Sequence, residues 1–203
     1  MATVFTGSSP SRSATGHAPQ MNSTGDPTIH WFVNAAFLQE IKDSNPHLWH
    51  EVHRLRTLCD PESIDFDKPQ MSLREFIGCL DGLRDLLALQ FALEETYGLI
   101  SADTATAHRA AALQSIAEQN EAEQERQEMV RSVTGQHRCL YLELVDLVEL
   151  AEELQYRGCD ADGLRSLVES IERFSGDLTA HERLEAELIR LHDSHARTGC
   201  THD

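Results

Sequence analysis

Cations are scarce in this chain: 17 Lys and Arg stand against 34 Asp and Glu, a formal net charge of -17. That balance repels nucleic acid and anionic membrane surfaces, so neither is an expected partner. Cysteine pairs are lacking too. Cys59, Cys79, Cys139, Cys159 and Cys200 are odd in number, scattered, and free of any C-x-x-C spacing. That excludes a zinc knuckle or a disulfide framework and suits a reducing compartment. No apolar run approaches the roughly 20 residues of a membrane span, and the N-terminus lacks the charged-then-apolar order of a signal peptide. The expectation is a cytoplasmic protein. There is no Gly-rich phosphate loop and no nucleophile elbow; "GDLTAHE" lacks the strand-turn-helix context such chemistry requires. No enzymatic activity is therefore expected.

At 203 residues the chain fits one domain. Residues 1–27 are Ser, Thr, Gly and Pro with almost nothing to bury, and read as a disordered tail, with Met21 an alternative start. Residues 28–196 hold four strongly periodic segments without the alternation of β-branched residues that marks a sheet, so an all-helical domain is expected. The first segment runs from about Ile29 to Leu58, before Pro61 and Pro69. The second starts at Ser72, an expected N-cap with Glu75 completing a capping box, and runs to about Gly98. An Ala-, Glu- and Gln-rich stretch, residues 101–132, reads as a helical insertion or extension; its charge run "EAEQERQE" reads as a solvated face. Whether it runs on through Gly135 is open at this level. The third segment covers Val133 to Tyr156, with Gly158 as its C-cap. The fourth runs from Asp160 or Asp162 to about His195, and residues 197–203 read as a frayed end. Four long helices joined by turns predict an antiparallel up-down four-helix bundle.

Stepping by four and three residues picks out the inward stripe of each helix. Leu38, Ile41, Asn45, Leu48, Val52 and Leu55 come from the first. The second contributes Leu73, Phe76, Leu80, Leu83, Leu87, Gln90, Glu94 and Tyr97. From the third come Val133, His137, Leu140, Leu144, Leu147, Ala151 and Leu154, and from the fourth Leu164, Leu167, Ile171, Phe174, Leu178, His181, Glu185 and Leu188. Each stripe has one polar interruption, and the interruptions lie at comparable distances from shared helix ends. Only Asn45 sits nearer, beside Pro46, which imposes a kink. One polar layer inside the bundle is the implication.

Burying an unpaired polar group costs roughly 1 to 3 kcal/mol. Asn45, Gln90, Glu94, His137, His181 and Glu185 must therefore satisfy one another or a ligand. One solution is a metal-free network in which Asn45 and Gln90 donate amide protons to Glu94 and Glu185 while both histidines bridge, fixing helix register. The other is a metal ion or ordered water.

The same residues resemble the hemerythrin-like, or HHE cation-binding, domains, over roughly residues 36–191. That resemblance implies a four-helix bundle around a non-haem di-iron centre. "QFALEE" matches the second-helix His-x-x-x-Glu motif with Gln90 in place of histidine and Glu94 kept. "QHRCLYLEL" matches the third-helix motif with His137 kept and Tyr141 in the second histidine's place. "LTAHERLEAEL" keeps the fourth as His181 and Glu185, and "EIKDSNPHLW" aligns Asn45 with the first-helix histidine. The implied metal ligands are Glu94, His137, His181 and Glu185, with Asn45, Gln90 and Tyr141 at degenerate positions. The implied cofactor is iron, mononuclear or dinuclear and weakly held, with Tyr141 a phenolate candidate for ferric iron. A metal-free interaction or regulatory bundle, meeting a protein partner through the acidic helix, is the alternative. A di-iron oxidase or sensor is the third and weakest.

Other clusters attract blander readings. His47, His50 and His53 fall off the Asn45 face on a helix turning about 100 degrees per residue, and read as surface. The tail with His192, His195, Cys200 and His202 matches no zinc module. Trp31, Phe32 and Phe37 read as core or staple residues.

Overall fold

The computed structural model describes residues 30–102 and 120–198, with side chains over 31–101 and 123–192. The expected tail, Met21, residues 103–119 of the insertion and the last five residues lie outside that range. Helices dominate what is described. They are α1 (Ala35–Ser44), α2 (Pro46–Leu58), α3 (Pro69–Leu93), α4 (Asn120–Arg157) and α5 (Ala161–Thr198), with a single π turn over Glu94–Gly98.

Several boundaries differ from the sequence expectation, each for a local reason. The first helix is two. Pro46 has no N–H to continue the ladder, so the chain breaks at Asn45, whose Oδ1 accepts the Leu48 N–H at 3.3 Å and caps α2. Ser72 is not a cap. Pro69 opens α3, where a missing N–H costs nothing, and Ser72 is buried inside the helix with its Oγ accepting the Asp65 N–H at 3.3 Å. α4 passes through Gly135 without a break, joining the described part of the insertion to the third segment. Gly158 ends it at φ 90°, a left-handed conformation that costs glycine little. Asp160 caps α5 by accepting the Gly163 N–H at 2.8 Å, and α5 extends past His195 to Thr198.

A strand pair also appears where none was expected. β1 (His30–Val33) runs antiparallel to β2 (Leu99–Ala102), with Trp31 opposite Ser101 and Phe32 opposite Ile100. At four residues each, the strands are too short for an alternation signal. The outer edge of β1 is held by a side chain: Gln127 of α4 accepts the Trp31 N–H at 2.7 Å and donates to its carbonyl at 2.8 Å. Phe32 is 47% exposed, so of the three aromatics read as core it is the one turned outward.

The π turn changes which residues face inward. The Leu99 N–H bonds to the Glu94 carbonyl, which shifts the inward stripe by one residue. Gly98 therefore faces inward, where an added Cβ would lie 2.2 Å from Leu38 Cδ2. Tyr97, expected inside, is 52% exposed and tilts against Phe37 at 5.4 Å. The Gly98 carbonyl accepts the Asn34 N–H at 2.8 Å, tying the end of the turn to the start of α1.

α3 packs on α2 and α4, α4 on α5, and α5 on α1. The remaining stripe residues are buried, apart from partly buried Asn45 and Leu154. The core they make is in two parts. The larger contains Leu48, Leu87, Phe91, Leu140 and Leu178; the smaller contains Leu38, Leu99, Val133 and Leu188. On α4 and α5 the polar residues fall between the helix's contributions to the two: His137 between Val133 and Leu140, and His181 and Glu185 between Leu178 and Leu188.

Candidate metal centre

The layer between the two apolar clusters is polar because α4, α5 and the π turn that ends α3 each turn an ionisable residue inward at that level. Gln90, Glu94, His137, His181 and Glu185 are all at most 2% exposed. An amide chain leads in from α1. Asn45 Nδ2 donates to Gln90 Oε1 at 3.0 Å, and Gln90 Nε2 donates in turn to Glu94 Oε1.

The histidines turn their protons outward. His137 Nδ1 lies 3.0 Å from Glu95 Oε1, and a carboxylate only accepts, so the proton sits on Nδ1. His181 Nδ1 lies 3.1 Å from the Gln136 amide oxygen, with the same result. Both Nε2 atoms then carry lone pairs. Phe91 stacks on the His137 ring at 4.2 Å and 10°, and the two imidazoles meet edge to face at 4.9 Å, so packing fixes both rings.

Four buried atoms in the layer have no hydrogen-bond partner: Glu94 Oε2, His137 Nε2, His181 Nε2 and Glu185 Oε1. Glu94 Oε2 and His137 Nε2 are 3.3 Å apart, and with the imidazole proton on Nδ1 that pair calls for a proton on the Glu94 carboxyl or a cation between the two atoms. Glu94, His137 and His181 each present a ligand atom within 4.8 Å of the others, and His181, Glu182 and Glu185 form an overlapping group on the same terms. An oriented imidazole whose second nitrogen is held by an outer acceptor is the arrangement metal-binding histidines adopt. The donor set of imidazole and carboxylate suits iron or another first-row dication.

The electrostatics agree. Burial lowers the His137 pKa to about 4; burial, then His137 and Lys42, lower that of His181 to about 3. Both are neutral at pH 7, as a ligand must be. Burial, then the neighbouring Glu185, push the Glu94 pKa well above the carboxylate range. Lys42 answers part of this charge: its Nζ lies 2.6 Å from Glu185 Oε2 and also bonds Glu182 Oε2. Burial works against the ammonium, yet the two carboxylates outweigh it and raise its pKa.

Of the residues singled out from the sequence, Glu94, His137 and His181 come together directly, with Glu185 in the overlapping group. Asn45 and Gln90 stand behind Glu94 as hydrogen-bond donors. Tyr141 is placed differently. It is 36% exposed and lines a surface groove of about 330 Å³ with Phe91, Glu95 and Arg138, on the outer side of His137. The expected metal-free network is met only in part: Asn45 donates to Gln90 rather than to a carboxylate, Glu185 is met by Lys42, and the histidines point their protons away from the layer. His47, His50 and His53 are exposed, as expected.

No family model, curated protein or solved structure matches the chain. The geometry of the layer therefore carries the functional argument.

Sequence reasoning passed over Lys42, Glu95, Gln136 and Glu182. The signal for Lys42 was present, because it lies four residues after Leu38 and three before Asn45, on the inward face. Glu95 and Gln136 each sit beside a stripe residue, and no periodicity singles them out.

Proposed function

We propose that this chain is a hemerythrin-like four-helix bundle, with α1 and α2 together as one broken member, that binds a divalent cation at an eroded centre and does no chemistry on a substrate. Glu94, His137 and His181 are the ligands, Glu185 lies beside them, and iron is the ion the resemblance favours. The packing order α2, α3, α4, α5, α1 supports the bundle reading. What carries the cation reading is the set of four buried, unpartnered atoms, Glu94 Oε2, His137 Nε2, His181 Nε2 and Glu185 Oε1.

The magnitudes favour a bound ion over an empty layer. Unsatisfied buried groups cost about 1–3 kcal/mol each, against a total stability of about 5–15 kcal/mol for a typical domain. Once Glu94 is ionised, one water, having only two protons, cannot serve four acceptors. A dication serves them all, and it balances the charge: Glu94, Glu182 and Glu185 against Lys42 leave two negative charges when all are ionised. Bound there, the ion would supply Lewis acidity or redox capacity; the chain's own residues orient it and seal it between two apolar layers.

The second reading is a metal-free interaction or regulatory bundle, favoured by the Asn45, Gln90, Glu94 amide chain, which is complete without an ion. Equilibrium dialysis of the purified chain against Fe2+ under anaerobic conditions, and against Mn2+, decides between them. About one ion per chain, with a melting temperature that rises with the ion and falls back with chelator, supports the cation reading. Uptake well below one per chain, with no change in melting temperature, leaves the metal-free bundle.

A further inference from the structure

The overlapping cluster of His181, Glu182 and Glu185 is a second place where ligand atoms converge within 4.8 Å. It already contains a cation. The Lys42 ammonium reaches into it from α1, bonding Glu182 Oε2 and, at 2.6 Å, Glu185 Oε2, with only 15% of its side chain exposed. Glu185 faces both ways: Oε2 meets the lysine, while Oε1, fully buried, has no partner. We propose that Lys42 is a resident cation occupying the second of two adjacent cation positions, so that it limits the centre to a single metal ion. This rests on the proposed cation centre and adds what sets its nuclearity.

The chemistry follows from size and charge. An ammonium is a compact point charge with three donors, and it satisfies two carboxylate oxygens as a metal ion does, without offering an open coordination position. A second dication and Lys42 cannot share the space between Glu182 and Glu185, and the charge balance needs only one of them. Removing the ammonium leaves the buried Glu185 and the partly buried Glu182 carboxylates facing a vacated position, beside the His181 ring whose Nε2 serves the first ion. Two carboxylates, with water completing the shell, suit a hard dication such as Mn2+.

The test counts Mn2+ bound per chain in wild type, K42M, K42Q and K42R after equilibrium dialysis, with electron paramagnetic resonance to distinguish isolated from spin-coupled ions. K42M and K42Q are expected to take up one ion more than wild type and to show the spectrum of a coupled pair. K42R, which keeps the charge, is expected to match wild type. No gain in K42M and K42Q overturns the proposal. A K42M chain that is unfolded in chelator is expected to recover its helical circular dichroism on adding Mn2+; failure to recover, with no gain in K42Q, overturns it equally. The wild-type count by itself judges the cation centre, and the difference between variant and wild type judges the role of Lys42, so the two claims fail separately.

Discussion

Glu94 Oε2 and His137 Nε2 face each other at 3.3 Å inside the helix layer, and neither hydrogen-bonds to the other or to anything else. Two acceptors held at that distance repel unless a proton or a cation lies between them. The surrounding structure keeps them there: Gln90 holds the other oxygen of Glu94, and Glu95 and the Phe91 ring hold His137.

Replacing His181 by leucine has opposite effects in the two states of the protein. The substitution removes a buried, unpartnered Nε2, and leaves the Gln136 oxygen, which is only partly buried, free to bind water. In chelator, H181L is expected to be more stable than wild type by about 1 kcal/mol. With Fe2+ or Mn2+ present it is expected to show no metal-dependent stabilisation. Thermal melts with and without the ion check both signs.

Gly98 is expected to tolerate no side chain. A Cβ there meets Leu38 Cδ2 at 2.2 Å, so Gly98→Ala forces α1 away from the π turn at a cost of about 1–3 kcal/mol. Shortening the facing residue makes room, so L38A/G98A is expected to lose less than the sum of its single variants. Urea denaturation of the four chains measures the coupling.

The metal-free protein should be most stable near pH 6.5, as far as these groups decide it. His137 and His181 have folded pKa values lowered to about 4 and about 3 from 6.5, so the unfolded chain binds more protons below pH 6.5. Their contribution is present above 6.5 and is lost as pH falls toward 4. Glu94 is shifted the other way, raised from 4.5, so its contribution is present below 4.5 and is lost as pH rises through its folded value. Two histidines outweigh one glutamate on the acid side, and Glu94 acts alone on the alkaline side. A bound dication displaces the Glu94 proton, so the stabilisation it gives is expected to grow with pH across the neutral range. Melting temperature against pH, in chelator and in Mn2+, reads both trends.

The stripes, and the polar layer that interrupts them, were legible in the sequence because helical periodicity is a strong signal over long segments. Leu164 through Leu188 follows the fourth stripe without exception, down to His181 and Glu185. The sequence was less informative where a single residue decides the backbone. Pro46 breaks the first helix outright rather than kinking it, Pro69 takes over the start assigned to Ser72, and the π turn at Glu94 carries Tyr97 out of the core. Tyr141 takes a ligand position by motif alignment alone; in the fold it lines a surface groove together with His137. Lys42 was overlooked for a different reason. Its spacing from Leu38 and Asn45 is inward, but a lysine within "EIKDS" reads as surface until Glu182 and Glu185 approach it from α5.

The central claim is that a cation belongs between Glu94, His137 and His181. Anomalous diffraction from crystals grown with Mn2+ or Fe2+ locates the ion directly. The account predicts one peak in the layer, within bonding distance of Glu94 Oε2, His137 Nε2 and His181 Nε2, with Lys42 still on Glu182 and Glu185. No peak at that position, with the Glu94 carboxyl instead bonded to His137 or to an ordered water, would contradict it.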